Sequence, residues 1–222
     1  MRTRSLFLLG LVGLLAAAGI GWALLRPHSG EDLPTVDVSA SEFTQKDEQA
    51  GLCPWRDPEG DRKRFFPASS GYEDELAALS SQRPELQRRL GRPLTGEDNA
   101  VRIHRILAGQ TPVGAIVTRR VRGESGVIEM VLAVGLDGRV VGARLQRLRE
   151  PDSVAAALQS PAWLGAFRGK TADSAWRSGQ DIPNVPAAAH SSAEAILDGA
   201  HSILVMLALG HPAPIADLPH TH

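Results

Sequence analysis

Cysteine is almost absent from this sequence of 222 residues, in which Cys53 is the only one. A single cysteine excludes an internal disulfide framework, a c-type haem attachment site and a cysteine-rich zinc site. Aromatic residues make up only 5% of the chain, so a surface on which nucleic-acid bases stack is not expected. Charge of neither sign predominates, because 24 Lys and Arg stand against 25 Asp and Glu. This balance argues against nucleic acid as a partner.

The common catalytic and metal-binding motifs are also missing. The sequence contains no GxSxG, HExxH or Walker loop, and no GxGxxG that follows a strand. His104, His190 and His201 lie far apart and lack the spacing of metal ligands. We expect His104 at the surface and Cys53 as a small buried side chain. The sequence therefore predicts no catalytic residue and no metal site.

The N-terminus has the features of a membrane anchor. Leu6 to Leu25 is a run without charge, and such a run forms a helix of about 30 Å, enough to cross a bilayer core. Arg2 and Arg4 precede it, so the positive-inside rule places the rest of the chain outside the cytoplasm. We expect a single-pass protein of the inner (plasma) membrane with a periplasmic domain. A cleaved signal peptide, with its site near Ala16, is the alternative.

Composition divides the chain into four predicted regions. Residues 1–26 form the anchor, residues 27–50 a polar tether, residues 51–210 one domain, and residues 211–222 a short Pro-rich tail. Hydrophobic residues make up 43% and charged residues 22% of the whole chain. These proportions indicate a packed globular body rather than a disordered chain.

Within the domain, helical patterns flank a group of strands. Apolar spacing predicts a helix over residues 72–90, and a cap at Thr95 predicts another through residue 107. Residues 113–121, 127–134 and 139–145 are predicted strands of an antiparallel meander, with a hairpin turn at Asp137-Gly138. Alternation in the last strand predicts one buried and one wet face. The charge run from Asp61 to Arg64 is typical of a solvated loop.

The C-terminal part is again helical. Ser160-Pro161 has the form of an N-cap followed by proline, and Trp163 and Phe167 then share a helix face. Residues 191–194 are predicted to form a capping box that opens the last helix. Its charged residues argue against a second membrane span. The resulting fold class is α+β, with an antiparallel sheet packed by helices around one core.

The start of the last helix could hold a phosphate group. Helix N-termini leave backbone N–H groups unpaired and carry a positive partial charge. The small residues 187–189 would admit a ligand, and His190, Ser191 and Ser192 would face it. The alternative is that Ser191 only caps the helix and the alanines only pack. The residues by themselves leave both interpretations open.

Five stretches between Phe65 and Gly210 together carry a family resemblance. They are Phe65-Phe-Pro67, the hairpin from Gly126 to Gly142, Glu150-Pro151, Trp163 to Lys170, and Asp181 to Ile196. In this order they resemble the FMN-binding domain family. That family occurs in the C subunit of sodium-pumping NADH:quinone reductase, the G subunit of Rnf-type complexes and the membrane regulator of nitrous-oxide reduction. Its Glu-Thr-Pro-Gly stands where Glu150-Pro151 does.

The last of these stretches bears on the cofactor. The family's form is D-x-I-S-G-A-T-x-T-S-x-A-V, and its final Thr of Ser-Gly-Ala-Thr-x-Thr forms a phosphoester with FMN, added by a flavin transferase. The resemblance places Ser192 at that threonine and His190 at the earlier one, while Ala187 and Ala188 replace the Ser and Gly. Covalent FMN, non-covalent FMN and a flavin-free relative all remain open.

The resemblance implies an electron-transfer carrier or a subunit of a membrane redox complex, rather than an enzyme that acts alone. Its implied partners are the membrane and other subunits of such a complex. The residues that would hold FMN are Ala189, His190, Ser191, Ser192, Glu150 and Trp163. The alternative is a flavin-free docking or assembly module that uses the arginines of the sheet (Arg119, Arg120, Arg122, Arg144 and Arg147). A third option is a sensor of a small molecule.

Overall fold

Five antiparallel strands form the centre of the protein. The structure is a computed structural model and describes residues 53–210, so the predicted anchor, tether and tail lie outside the described residues. The strands are β1 (Gly71–Ala78), β2 (Ala100–Ala108), β3 (Thr111–Arg122), β4 (Val127–Gly135) and β5 (Val140–Leu148). They lie in one sheet in the order of the chain. The fold class is α+β, as predicted, and the three predicted strands are confirmed as β3 to β5.

Two predicted helices are strands. Residues 71–78 form β1, which pairs antiparallel with β2 from Gly71↔Leu107 to Ala78↔Ala100. Of the first predicted helix, only Arg83–Leu90 is α-helical, and it is named α2 below; a 3₁₀ turn over Ser80–Gln82 precedes it. The box at Thr95 closes a single 3₁₀ turn, Gly96–Asp98, before β2 begins. The β-branched residues of β2 favour a strand once a sheet is there to pack on. Pairing with other strands therefore decided the structure of this segment, although its apolar spacing predicted a helix.

The remaining helices lie before and after the sheet. They are α1 (Pro58–Phe65), α3 (Asp152–Leu158), α4 (Pro161–Gly165) and α5 (His190–Gly210). The predicted cap of α4 is confirmed, because Ser160 Oγ accepts from the Trp163 N–H at 3.3 Å. The predicted pairing of Trp163 with Phe167 is also confirmed, with edge-on rings 5.0 Å apart.

The long helix α5 covers one face of the sheet, here called the helix face. Its buried residues include Ile196, Ala200, Ile203 and Leu204, and they pack with Met130 and other strand residues in the main core. Residues 187–210 are long and apolar enough to cross a membrane, but 56% of the most apolar window is buried inside the domain. The helix therefore serves as a core helix in this fold.

A buried ion-pair network attaches α5 to the sheet. The carboxylate of Asp98 is fully buried and lies 2.6 Å from Arg119 and 2.9 Å from Arg92. Arg92 also donates to Ser202 at 2.8 Å and pairs with Asp198, both on α5. Burial raises the pKa of Asp98, but hydrogen bonds from Arg92 and the charge of Arg119 outweigh it and hold that pKa well below its ordinary range.

The opposite face, here called the strap face, is covered by residues 53–66, named the strap. Phe66 packs with Ile116, Val131 and Ala133 in a second, smaller core cluster. Within α1, Asp61 is buried and pairs with Arg144 at 2.6 Å. The predictions of a wet sheet face and of a solvated loop at residues 61–64 are therefore wrong. The strap covers this face with charged groups that pair with charged groups of the sheet. Alternation along one strand cannot show that another segment covers its polar face.

Candidate functional site

The structure brings together two of the predicted site residues, Ser192 and Glu150. They are 42 positions apart, and the hydroxyl of Ser192 donates to Glu150 Oε1 at 2.8 Å. Ser192 lies in the first turn of α5 and is fully buried. Glu150 closely follows β5, so the end of the sheet and the start of the helix hold the two side chains at one place. This serine–carboxylate pair is the candidate site.

The loop between β3 and β4 covers the pair. The backbone N–H of Glu124 donates to Ser192 Oγ at 2.8 Å. The N–H of Ser125 donates to both carboxylate oxygens of Glu150, at 3.3 and 3.2 Å. A Cβ at Gly123 would lie 2.1 Å from Glu150 Oε1 and 2.7 Å from Ile128 Cδ1, so a larger residue there would displace Glu150 from the pair. The loop therefore satisfies the hydroxyl and the carboxylate with its own backbone.

The start of α5 differs from the prediction. The helix begins at His190, after a 3₁₀ turn over Ala187–Ala189, so Ser191 is not its N-cap and the predicted capping box is wrong. Ser191 is exposed, whereas Ala189 is buried and cannot line an open site. Nε2 of the His190 ring lies 2.9 Å from the carbonyl oxygen of Val185. Of the residues predicted to face a phosphate here, His190 and Ser191 are exposed and Ala189 is buried.

Trp163 lies in the main core rather than at a surface. Its residue is 2% exposed and its indole N–H, on Nε1, has no hydrogen-bond partner among the described residues. Phe167 packs edge-on against it. The ring therefore offers no open face against which an isoalloxazine could lie.

The residues at this place do not fit an FMN phosphate. The hydroxyl of Ser192 already donates to Glu150 and accepts from the Glu124 N–H. A phosphate there would meet a carboxylate 2.8 Å from the attachment oxygen, and like charges at that distance repel. The buried serine is also closed off by the loop at Gly123. Attachment at Ser192 would require Glu150 and the loop to move away.

Other candidate residues are placed as follows. Within residues 53–210, no group of three or more His, Cys, Asp and Glu could hold a metal ion. His104 is only 4% exposed, so its predicted surface position is wrong. Its ring packs at a tilt against Trp55, with centroids 4.3 Å apart, and its Nδ1 lies 2.5 Å from Asp74. Burial lowers the pKa of His104, and the Asp74 carboxylate opposes this.

The arginines of the sheet do not share one docking face. Arg119 lies on the helix face, buried against Asp98, and Arg144 on the strap face is neutralised by Asp61. The residues that sequence reasoning missed are Gly123, Glu124 and Ser125, which contact the candidate pair. The only signal for them was the Gly-Glu-Ser-Gly stretch, and it indicates a turn rather than a site.

Comparisons with known proteins leave the family open. No family model matches the chain, and no curated protein matches it in sequence. Among solved structures, it is similar to the crystal structure of the C subunit of the Na⁺-translocating NADH-quinone reductase from Parabacteroides distasonis. The identity is 13%, the match covers 61% of this chain and 77% of that chain, and the TM-score is 0.39. At these values the similarity carries no weight for function, and the resemblance to the FMN-binding family stays a prediction.

Proposed function

We propose that the chain is a flavin-free docking or assembly module of a membrane complex, with its domain outside the cytoplasm. The observation that carries the flavin-free part is the buried serine–carboxylate pair. The one hydroxyl at which the sequence suggests attachment is fully buried and has both a donor and an acceptor within the domain. A hydroxyl used in this way stabilises the fold.

The remaining chemistry of the domain agrees with a binding role. Residues 53–210 contain no group of ligands for a metal ion, and the predicted flavin contacts Ala189 and Trp163 are buried in the core. The uncharged run at residues 6–25 would hold the domain at the membrane. We therefore expect a domain held at the membrane in this way to act by contacting other proteins.

A spectroscopic titration tests this proposal. Protein lacking residues 1–26 is mixed with FMN, and flavin fluorescence and absorption are followed for the wild type and for Ser192→Ala. The proposal expects no change in either signal, because the serine–carboxylate pair leaves no place for a phosphate. Saturable quenching of FMN fluorescence by the wild type would contradict the flavin-free part.

The docking part needs a separate measurement. Full-length tagged protein in detergent-solubilised native membranes is expected to migrate on native gels in a band larger than its own monomer or dimer. Migration only as a monomer would contradict docking, whatever the outcome with FMN.

One observation favours the second candidate, an electron-transfer carrier within a membrane redox complex. The two residues that sequence reasoning placed at the flavin, Ser192 and Glu150, are in direct contact at the first turn of a 21-residue helix. A carboxylate that accepts from a hydroxyl is also an arrangement suited to activating that hydroxyl. This candidate predicts FMN bound after the loop at residues 123–125 opens, and the titration above separates it from the docking module.

A further inference from the structure

The two edges of the sheet differ in how they are protected. At the β5 edge, the pairing with β4 shifts register twice, and the backbone of Val140 donates to Lys170 and accepts from Gly169. At the opposite edge, all eight residues of β1 pair with β2 in one unbroken register. Within residues 53–210, no backbone hydrogen bond joins β1 to any segment other than β2. A long, regular edge of this kind accepts a further strand, whereas an irregular and partly covered edge resists one.

The outward backbone groups of β1 belong to its even-numbered residues. Leu79, directly after the strand, donates its N–H to the carbonyl oxygen of Asn99 at 2.9 Å, and this bond continues the register of β1 with β2. Backbone groups that face inward and outward alternate along an antiparallel strand. The N–H and C=O groups that point away from β2 are therefore those of Tyr72, Asp74 and Leu76.

The side chains along this edge are acidic. Glu73, Asp74 and Glu75 follow one another in β1, and alternation along a strand places Asp74 on one face of the sheet and the two glutamates on the other. Asp74 contacts His104, whose pKa is lowered by burial, and Glu75 is paired with Arg105. Because His104 and Arg105 lie on β2, the carboxylates of β1 are the charges nearest to a strand added outside it.

These charges select the occupant of the edge. A second copy of β1, paired over most of its length, would set acidic residues opposite acidic residues, and like charges directly opposite each other destabilise a sheet. Lys and Arg in the same positions stabilise it. Tyr72 is 39% exposed and lies on the same face as Asp74, so it offers an apolar surface beside the carboxylate. The edge therefore fits an extended segment that has successive basic residues next to an apolar one.

We propose that the β1 edge binds a basic, extended segment of a partner protein by strand addition, which gives the sheet a sixth strand. The inference rests on the proposed docking function and deepens it, because it names the docking surface and the kind of partner. Backbone hydrogen bonds to the even-numbered residues of β1 supply affinity, and the acidic side chains supply specificity.

A labelled peptide, Thr-Val-Lys-Arg-Lys-Val-Thr, tests this with full-length protein in a nonionic detergent. Binding is followed by fluorescence anisotropy at about 20 mM salt, where charges are little screened. The control peptide has N-methyl groups on its arginine and the lysine that follows, so it keeps its charge but cannot pair as a strand. It should bind about tenfold more weakly. A peptide with Gln in place of the three basic residues should bind about fivefold more weakly.

A variant tests the position of the peptide on the protein. Leu76→Pro removes an N–H that points outward, a change that edge strands tolerate, and it should weaken peptide binding about tenfold. Leu76→Ala is the matched control, because it keeps the N–H, and it should bind as the wild type. Circular dichroism checks that both variants are folded, and the comparison of the three peptides stands without any variant.

The peptide results can overturn the proposal in two ways. If the wild type binds none of the peptides, the edge does not accept a basic strand. If the basic peptide binds no better than the N-methylated one or the Gln one, either strand pairing or charge has no part in binding.

Other occupants of the edge would also contradict it. If a variant that ends at Gly210 binds the peptide and the wild type does not, the C-terminal residues of this chain occupy the edge. Dimerisation of the wild type that Leu76→Pro abolishes would make a second copy the occupant. If Leu76→Pro leaves the large band on native gels unchanged, docking uses another surface, and the proposed function stands without this inference.

Discussion

The two faces of the sheet are covered by different kinds of contact. On the helix face, α5 buries an apolar stripe, and the polar groups enclosed beneath it include Ser192, Ser202 and the Asp98–Arg119 pair. On the strap face, the apolar cluster is small, and charged pairs such as Asp61–Arg144 complete the cover. Apolar burial is the largest favourable contribution to folding, and the strap face has the smaller share of it. The helix face should therefore set global stability, and the strap face should open locally.

The largest expected effect comes from the helix face. Asp98→Ala leaves the buried Arg119 without its carboxylate, and breaking a buried pair in this way costs about 3–5 kcal/mol. The free energy of unfolding, from urea denaturation at pH 7, measures the loss. Asp181→Ala at an exposed position is the control and should change little. A loss below about 1 kcal/mol for Asp98→Ala would contradict the account of the network.

The same network predicts a pH dependence. Because the pKa of Asp98 is lowered in the folded state, its contribution is present above the unfolded pKa of about 3.9 and is lost as pH falls below it. Asp98→Asn should flatten the stability curve of the protein below about pH 4 relative to the wild type. Parallel curves for the two proteins would show that another group carries the acid dependence.

Asp61→Ala on the strap face should have a smaller and local effect. It removes the acceptor of Arg144 and of the Trp55 indole, which donates at 2.9 Å. The expected loss is about 1–3 kcal/mol, seen as faster amide hydrogen exchange within residues 53–66 while α5 keeps its protection. If exchange rises equally in the strap and in α5, the two faces do not open independently.

Ser192→Ala should cost about 1–2 kcal/mol, because the Glu124 N–H and the Glu150 carboxylate each lose a partner. Ser191→Ala is the matched control, since this neighbouring serine is exposed. Thermal denaturation of the two variants gives the comparison. Equal melting temperatures would mean that the serine–carboxylate pair does not stabilise the start of α5.

The smallest expected effect concerns His104 beneath Trp55 of the strap. Burial lowers the pKa of His104 in the folded state, so the neutral ring is favoured there and its contribution is lost as pH falls below the ordinary value of 6.5. Hydrogen exchange of the strap should therefore speed up between about pH 7 and pH 5. In His104→Gln that increase should be smaller. If hydrogen exchange in His104→Gln speeds up as much as in the wild type, another group causes the pH dependence.

The sequence predicted the second half of the sheet better than the first. Strands β3 to β5 have β-branched runs and an Asp137-Gly138 turn in which Gly138 has φ +73°, and these signals are local. By contrast, β1 is half exposed and acidic, and its one leucine, Leu76, continues at helical spacing into the leucines that follow the strand. Its strand form depends on pairing with β2, a contact between segments that no local pattern encodes.

The candidate site was predicted in part. Family resemblance selected Ser192 and Glu150, and the structure places them in contact. The resemblance could not select Gly123 or the backbone amides of Glu124 and Ser125, because every residue type except proline has a backbone N–H and the sequence does not show which ones form contacts. Nor could it show that Trp163 is buried in the core, since an aromatic residue on a short helix suits a core and a cofactor site equally.

The central claim is that Ser192 serves the fold and carries no flavin. The most direct test is the intact mass of protein lacking residues 1–26, exported from cells that also make a flavin transferase, compared with Ser192→Ala. A coexpressed domain known to accept FMN confirms that the transferase is active. The account predicts the unmodified mass for both proteins. An added mass of FMN on the wild type that is absent from Ser192→Ala would contradict it and establish the carrier.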